Sequence, residues 1–162
     1  MAGLVAAVGI VVAAVSLAAS RNRIRQPVAF PHRLHLEEVG MECLDCHLHA
    51  ASLARATIPN IEVCSSCHEE TQGDSAAEAI VVRHVAAGEP IPWRKVYTVP
   101  GHVLFSHRRH AGIAGIACER CHGPVGERTM PVTETLVRLK MDDCLECHAQ
   151  SGVSNDCILC HR

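Results

Sequence analysis

The sequence predicts a protein made mostly of α-helix and coil, with little regular sheet, behind a single N-terminal transmembrane helix. Three observations support this fold class. The pattern C-x-x-C-H occurs five times and uses all ten cysteines of the 162-residue chain. Aromatic residues, which normally build a core, are scarce, with two Phe, one Trp and one Tyr. Residues 2–19 form an apolar run without a charged side chain.

The five motifs have the spacing of c-type haem attachment. In such a site two thiols on one short turn form thioethers with the porphyrin, and the adjacent imidazole becomes the proximal ligand of the iron. The cysteine pairs are Cys43 and Cys46, Cys64 and Cys67, Cys118 and Cys121, Cys144 and Cys147, and Cys157 and Cys160. The proximal histidines are His47, His68, His122, His148 and His161. We therefore predict five c-type haems.

A thioredoxin-like redox pair and half of a zinc site are the alternatives, because both also use C-x-x-C. Neither requires a histidine after the second cysteine. The chain has 12 histidines in 162 residues. Five histidines would fall at these positions by chance with a probability of roughly one in a million. Haem attachment is therefore the favoured interpretation.

The porphyrins would supply the core that the composition lacks. A domain of this length normally buries aromatic and branched side chains. Folding is therefore expected to depend on haem attachment, as the folding of small metal domains depends on their metal. The formal charge of −2 becomes more negative once the haem propionates are counted, which argues against nucleic acid as a partner.

Residues 1–25 are predicted to form a membrane anchor. As a helix, the run from Ala2 to Ala19 would be about 27 Å long, just enough to cross the hydrocarbon core. A secretory signal is the alternative, since residues 18–20 resemble a cleavage site, but no basic residue precedes the run. Haem is attached outside the energised membrane, so we expect the rest of the chain on the periplasmic side of the inner membrane. The three arginines directly after the run oppose the positive-inside tendency.

Residues 26–70 form the first predicted haem-binding module, which carries two attachment motifs. An F-x-H-x-x-H element from Phe30 to His35 precedes the motifs and places His32 and His35 three residues apart. This arrangement favours distal iron ligands over isolated surface or core histidines. His49 is either an iron ligand or a partner of a haem propionate.

Residues 71–92 contain no attachment motif and are predicted to connect two modules. Ser75 and Glu78 have the spacing of a capping box, residues 76–87 favour helix, and Gly88 is a natural stop. His84 would lie on this helix. There, a packed or exposed side chain is favoured over an iron ligand.

Residues 93–162 form the second predicted module, which carries three attachment motifs. It repeats the F-x-H-x-x-H element from Phe105 to His110, with His107 and His110 in the two histidine positions. The repeat predicts that the chain consists of two related haem-packing units.

From Phe105 onward the sequence resembles the trihaem members of the class III cytochromes c, in which F-x-H-x-x-H is followed by similarly spaced attachment motifs. The wider pattern adds an N-terminal helix, a dihaem unit, the stretch from Trp93 to His110, and C-H-G-P-V from Cys121. It is similar to the pentahaem cytochrome subunit of alternative complex III and related quinone-linked complexes. The resemblance covers nearly the whole chain and implies a class III-like multihaem fold.

The resemblance also implies the distal ligands, because in that family the first histidine of each F-x-H-x-x-H serves the next haem and the second histidine the one after. Applied to this sequence, the family pattern implies these pairs of distal and proximal ligands: His32 with His47, His35 with His68, His107 with His122, and His110 with His148. For His161, the corresponding place before Cys144 holds Met141 and no histidine. Met141 is therefore the expected ligand, His102 is its competitor, and packing of Met141 on a porphyrin face is the alternative.

Two histidine ligands fill both axial positions of an iron, so such irons carry electrons and bind no substrate. The resemblance implies an electron-transfer subunit that is not an enzyme by itself, within a quinol-oxidising respiratory or photosynthetic complex. The expected partners are membrane and iron–sulfur subunits and a periplasmic acceptor such as a monohaem cytochrome c or a copper protein. Two alternatives stay open: a freestanding membrane-anchored quinol dehydrogenase, and a multihaem reductase of small oxyanions, which would need an iron with an open position.

Overall fold

The computed structural model describes residues 23–162, in which short helices are joined by long loops. No β-strand occurs in this part of the chain, and the only sheet-like pairing there is an isolated bridge between Val103 and His161. The six α-helices of the described residues are α1 (Cys43–Cys46), α2 (Ile61–Cys64), α3 (Ala76–Ala87), α4 (Glu119–His122), α5 (Met141–Gln150) and α6 (Cys157–Cys160). Two π-helical turns, π1 (Leu34–Glu38) and π2 (Arg108–Ile113), and a 3₁₀ turn (Val125–Glu127) complete the elements. The prediction of helix and coil with little sheet is confirmed.

The predicted transmembrane helix falls on residues 2–19, which lie outside the described residues. Within residues 23–162, no helix is both long enough and apolar enough to cross a membrane. The anchor therefore stays a prediction.

Helix α3 begins and ends where its sequence predicts. The Ser75 hydroxyl accepts a hydrogen bond from the Glu78 N–H at 3.4 Å, which satisfies a free donor of the first turn. At the other end, Gly88 has a φ of 65°, a left-handed conformation that glycine adopts without a steric penalty. The helix predicted over residues 76–87 is confirmed.

The apolar core of the described residues is small and lies beside α3. Three apolar side chains are buried there, those of Val28, Val81 and Ile91. The Asn60 side chain ties the start of α2 to this core, because its Oδ1 accepts from the Ile91 N–H at 2.7 Å. By contrast, large apolar side chains such as Leu44 and Ile113 are exposed. Within residues 23–162, much apolar surface is thus not covered by other side chains, as expected for a chain that packs against porphyrins.

The two predicted modules contact each other through the loop after α1. The N–H groups of His107 and Arg108 donate to the carbonyl oxygens of Ala54 and Leu53 at 2.9 and 3.0 Å. Nearby, a Cβ atom on Gly112 would collide with the carbonyl oxygen of Ala51. Only glycine permits this close approach of π2 to the loop.

Candidate haem-binding site

Each C-x-x-C-H motif lies on one turn of helix or at its edge. In four motifs the histidine N–H donates to the carbonyl of the first cysteine, and the pairs are His47 to Cys43 (2.9 Å), His68 to Cys64 (2.9 Å), His122 to Cys118 (3.0 Å) and His161 to Cys157 (2.9 Å). The remaining motif, which begins at Cys144, lies inside α5. Residues four apart on a helix share a face, so the first cysteine and the histidine lie on one side. All ten cysteines lie in the described residues, and no disulfide joins any two of them.

Four proximal histidines face a second imidazole at a nearly constant distance. The ring centroids of His35 and His68 are 6.3 Å apart, those of His107 and His122 are 6.2 Å apart, those of His110 and His148 are 6.1 Å apart, and those of His102 and His161 are 5.5 Å apart. A metal bonded to two imidazole nitrogens at about 2 Å each separates the ring centroids by roughly 6 Å. The spacing of the rings therefore fits an iron held between them.

His32 and His47 also lie near each other. The pKa of His32 is lowered to about 4, first by burial and then by the neighbouring His47 and His35. The pKa of His47 is also lowered, mainly by burial. Both rings are thus neutral at physiological pH, which is the form that binds a metal. The Nδ1 of His32 is buried and has no hydrogen-bond partner among the described residues.

The two F-x-H-x-x-H elements have the same local geometry. Phe30 stacks on His35 with a centroid distance of 4.4 Å, and Phe105 stacks on His110 at 4.6 Å. In both elements the Nδ1 of the second histidine pairs with the backbone carbonyl four residues earlier, at 3.0 Å for His35 and 2.8 Å for His110. An Nδ1–H that donates to a carbonyl leaves the lone pair of Nε2 free for a metal.

The five attachment sites form a continuous series. Burial raises the pKa of several thiols, and thiols of a neighbouring motif raise it further. The neighbours are Cys46 with Cys64 and Cys67, Cys43 with Cys118, Cys121 with Cys144 and Cys147, and Cys144 with Cys160. If the motifs are numbered along the sequence, their order in space is therefore second, first, third, fourth, fifth. The second motif is at one end of the series and the fifth is at the other.

Residues 28–82 and 103–162 match the family model of cytochrome c7 and related cytochrome c. The chain belongs to this cytochrome c family. It is also 30% identical, over 162 aligned residues, to the multihaem cytochrome c subunit of menaquinone reductase from Nitratidesulfovibrio vulgaris strain Hildenborough. That alignment covers 85% of this chain and 77% of the relative. The multihaem c-type cytochrome predicted from the sequence is thus confirmed, and electron transfer follows as its general function.

The remaining predicted ligand positions of this cytochrome differ in their surroundings. Met141 is the first residue of α5, and its side chain is 60% exposed. His102, its competitor, is the residue that lies beside His161. His49 is exposed, and the Nδ1 of His84 pairs with the carbonyl of Glu89 at 3.1 Å at the end of α3.

One buried nitrogen of a cationic side chain also fits the expected cofactor. The Nε of Arg128 is buried and has no hydrogen-bond partner among residues 23–162. A guanidinium N–H binds a carboxylate strongly when water is excluded. A haem propionate would supply this missing acceptor, so Arg128 is a candidate propionate ligand of the cytochrome.

Sequence reasoning missed two residues that contact the proximal histidines. The Tyr97 ring packs against His122 with a centroid distance of 4.6 Å, and its hydroxyl donates to the His122 carbonyl at 3.1 Å. The second residue is Glu78. Its sequence position predicts a capping box, but its carboxylate accepts a hydrogen bond from the His68 ring at 3.0 Å. Only the Ser75 half of that capping box forms. Neither contact has a signal in the local sequence, because each joins residues ten or more positions apart.

Proposed function

We propose that this cytochrome carries five c-type haems and transfers electrons as a membrane-anchored subunit of a quinone-linked complex. The observation that carries the proposal is the continuous series of five attachment motifs, in which each proximal histidine has a second imidazole nearby. When bound, haem supplies reversible one-electron transfer. A series of closely spaced sites suits a protein that moves electrons between two ends.

In this function the side chains of the protein bind and position the haems. The cysteines would hold each porphyrin covalently, and the paired histidines would bind its iron from both sides. Since no axial position is left for a substrate, the chain is proposed to be an electron carrier and not a reductase. The spacing of the His102 and His161 rings, with centroids 5.5 Å apart, supports His102 as the distal ligand of the fifth site, in place of Met141.

The proposed partners follow from the relative and from the sequence. The relative is a subunit of a menaquinone reductase, which supports a partner that binds quinone. The sequence resemblance supports membrane and iron–sulfur subunits, a membrane anchor in residues 1–25, and a periplasmic electron carrier as the external partner. Alternative complex III is one member of this class of complexes and stays a prediction for this chain.

The direction of electron flow has two candidates. The sequence resemblance predicts quinol oxidation, with electrons leaving to a periplasmic acceptor. The name of the relative favours the reverse direction, in which electrons enter from a periplasmic donor and reduce menaquinone. The same series of sites serves both directions, because tunnelling between haems is reversible.

Purification from membranes in mild detergent tests the proposal. We expect five haems for each polypeptide, as measured by the pyridine haemochrome spectrum and the mass of the intact chain. We also expect co-purifying membrane and iron–sulfur subunits, and haem absorbance that changes when menaquinol or menaquinone is added. A chain with fewer haems, or an isolated polypeptide whose haems do not respond to quinone, would overturn the proposal. The initial rates with quinol and with a reduced periplasmic carrier decide the direction.

A further inference from the structure

The proximal histidine of the second attachment motif has an unusual partner. The Nδ1 of His68 lies 3.0 Å from the Oε1 of Glu78, within hydrogen-bond distance. The Glu78 side chain is only 12% exposed, so water competes weakly for this contact. An imidazole N–H that donates to a carboxylate makes a stronger bond than one that donates to a neutral acceptor.

Three other expected iron ligands have a neutral backbone acceptor at Nδ1. The Nδ1 atoms of His35, His110 and His148 pair with the carbonyl oxygens of Pro31, Ser106 and Ser154. Among the hydrogen bonds of residues 23–162, the bond of His68 is the one in which an expected iron ligand meets a carboxylate. The second site therefore differs from these others, because the hydrogen-bond acceptor of its imidazole is a charged carboxylate and not a neutral carbonyl.

The Glu78 carboxylate is held in place by the backbone. Its Oε1 also accepts from the Gln72 N–H at 2.8 Å, and its Oε2 accepts from the Gly73 N–H at 3.1 Å. These hydrogen bonds, together with the contact to His68, fix the orientation of the carboxylate and favour its charged form. Its position in the first turn of α3, near the positive end of the helix dipole, has the same effect.

We propose that Glu78 is a positioning residue that acts through His68 and lowers the reduction potential of the haem at Cys64 and Cys67. A carboxylate that accepts the Nδ1–H makes the ring a more basic ligand, and a more basic ligand stabilises ferric over ferrous iron. This inference rests on the proposed function only in requiring a haem at that site. Because the second motif is at one end of the series, the chain would have a low-potential terminus there.

The test uses the full-length protein in its native complex. In the variant Glu78→Gln, we expect the reduction equilibrium of one haem to shift about tenfold towards the ferrous form, which is 59 mV for a one-electron couple. The other haems keep their midpoints. Redox titration followed by electron paramagnetic resonance measures this shift, and the g values of the same ferric signal should change with it.

Two variants serve as controls. Glu69→Gln removes an exposed carboxylate next to His68 in the sequence without removing the Glu78 bond, so we expect no comparable shift. Ser75→Ala removes the hydroxyl that caps α3 and leaves the Glu78 carboxylate in place, so the midpoints should again be unchanged. An equal shift in either control, or no shift in Glu78→Gln, would overturn the role of Glu78.

A measurement on the unaltered protein keeps the inference testable if Glu78→Gln loses a haem. In the fully reduced, diamagnetic cytochrome, the Nδ1 proton of His68 should resonate further downfield than those of His35 and His110. A His68 proton at the same position as the others contradicts the charged bond. Failure of the proposed function would look different, since the haem potentials could still shift in Glu78→Gln while quinone leaves the spectrum unchanged.

Discussion

His102 lies against His161, with ring centroids 5.5 Å apart and ring planes inclined by 23°. Two backbone hydrogen bonds join the segments that carry these rings. The Leu104 N–H donates to the Cys160 carbonyl at 2.8 Å, and the Arg162 N–H donates to the His102 carbonyl at 3.2 Å. The segment before the second F-x-H-x-x-H element is thereby joined to the last attachment motif.

The first prediction concerns the ligand of this last site. His102→Ala should convert one low-spin haem into a high-spin haem, because the iron loses its second axial ligand. Electron paramagnetic resonance of the oxidised protein, quantified against the haem content, measures the change. Met141→Ala is the matched variant and should leave all signals low-spin. The opposite pattern, with a high-spin haem only in Met141→Ala, would restore the ligand expected from the sequence.

The second prediction concerns the contact between the two halves of the chain. Gly112→Ala should destabilise the haem-loaded protein by about 1–3 kcal/mol, because the added methyl group would meet the Ala51 carbonyl and force π2 away from the loop. Gly101→Ala is the control, since nothing lies within 4 Å of its new Cβ. Thermal unfolding followed at the Soret band compares the two variants. Equal melting temperatures would show that this close approach is not needed.

The sequence predicted the elements whose signals are local. The C-x-x-C-H motifs each need only one helical turn, and α3 has its Ser75 cap and Gly88 stop within its own segment. The imidazole beside His161 was harder to predict, because His102 is far away in the sequence. Met141, the ligand that the family pattern suggests, stays a prediction. The order of the attachment sites could not be predicted at all. The first and third motifs are neighbours because tertiary packing brings the thiols of Cys43 and Cys118 together.

The third prediction concerns the spin state of the whole protein. All ferric haems of the unaltered cytochrome should be low-spin, because each proximal histidine has a second imidazole nearby. Added nitrite or cyanide should leave the electron paramagnetic resonance spectrum unchanged, since no axial position is open. A high-spin signal in stoichiometric amount that shifts with nitrite would instead favour the oxyanion reductase.

The last prediction concerns electron exchange at the C-terminal end of the series. The fifth attachment motif is at one end of the series, and its Ile158 and Leu159 side chains are 77% and 58% exposed. A folded tag fused directly to Arg162 should slow electron exchange with the periplasmic carrier in stopped-flow measurements, because it covers this surface. The same tag behind a long Gly/Ser linker is the control and should restore most of the rate, since a flexible linker lets the tag move away. If the directly fused tag leaves the rate unchanged at an equal haem content, the exchange surface lies elsewhere, and the site at Cys64 and Cys67, at the other end of the series, becomes the next candidate.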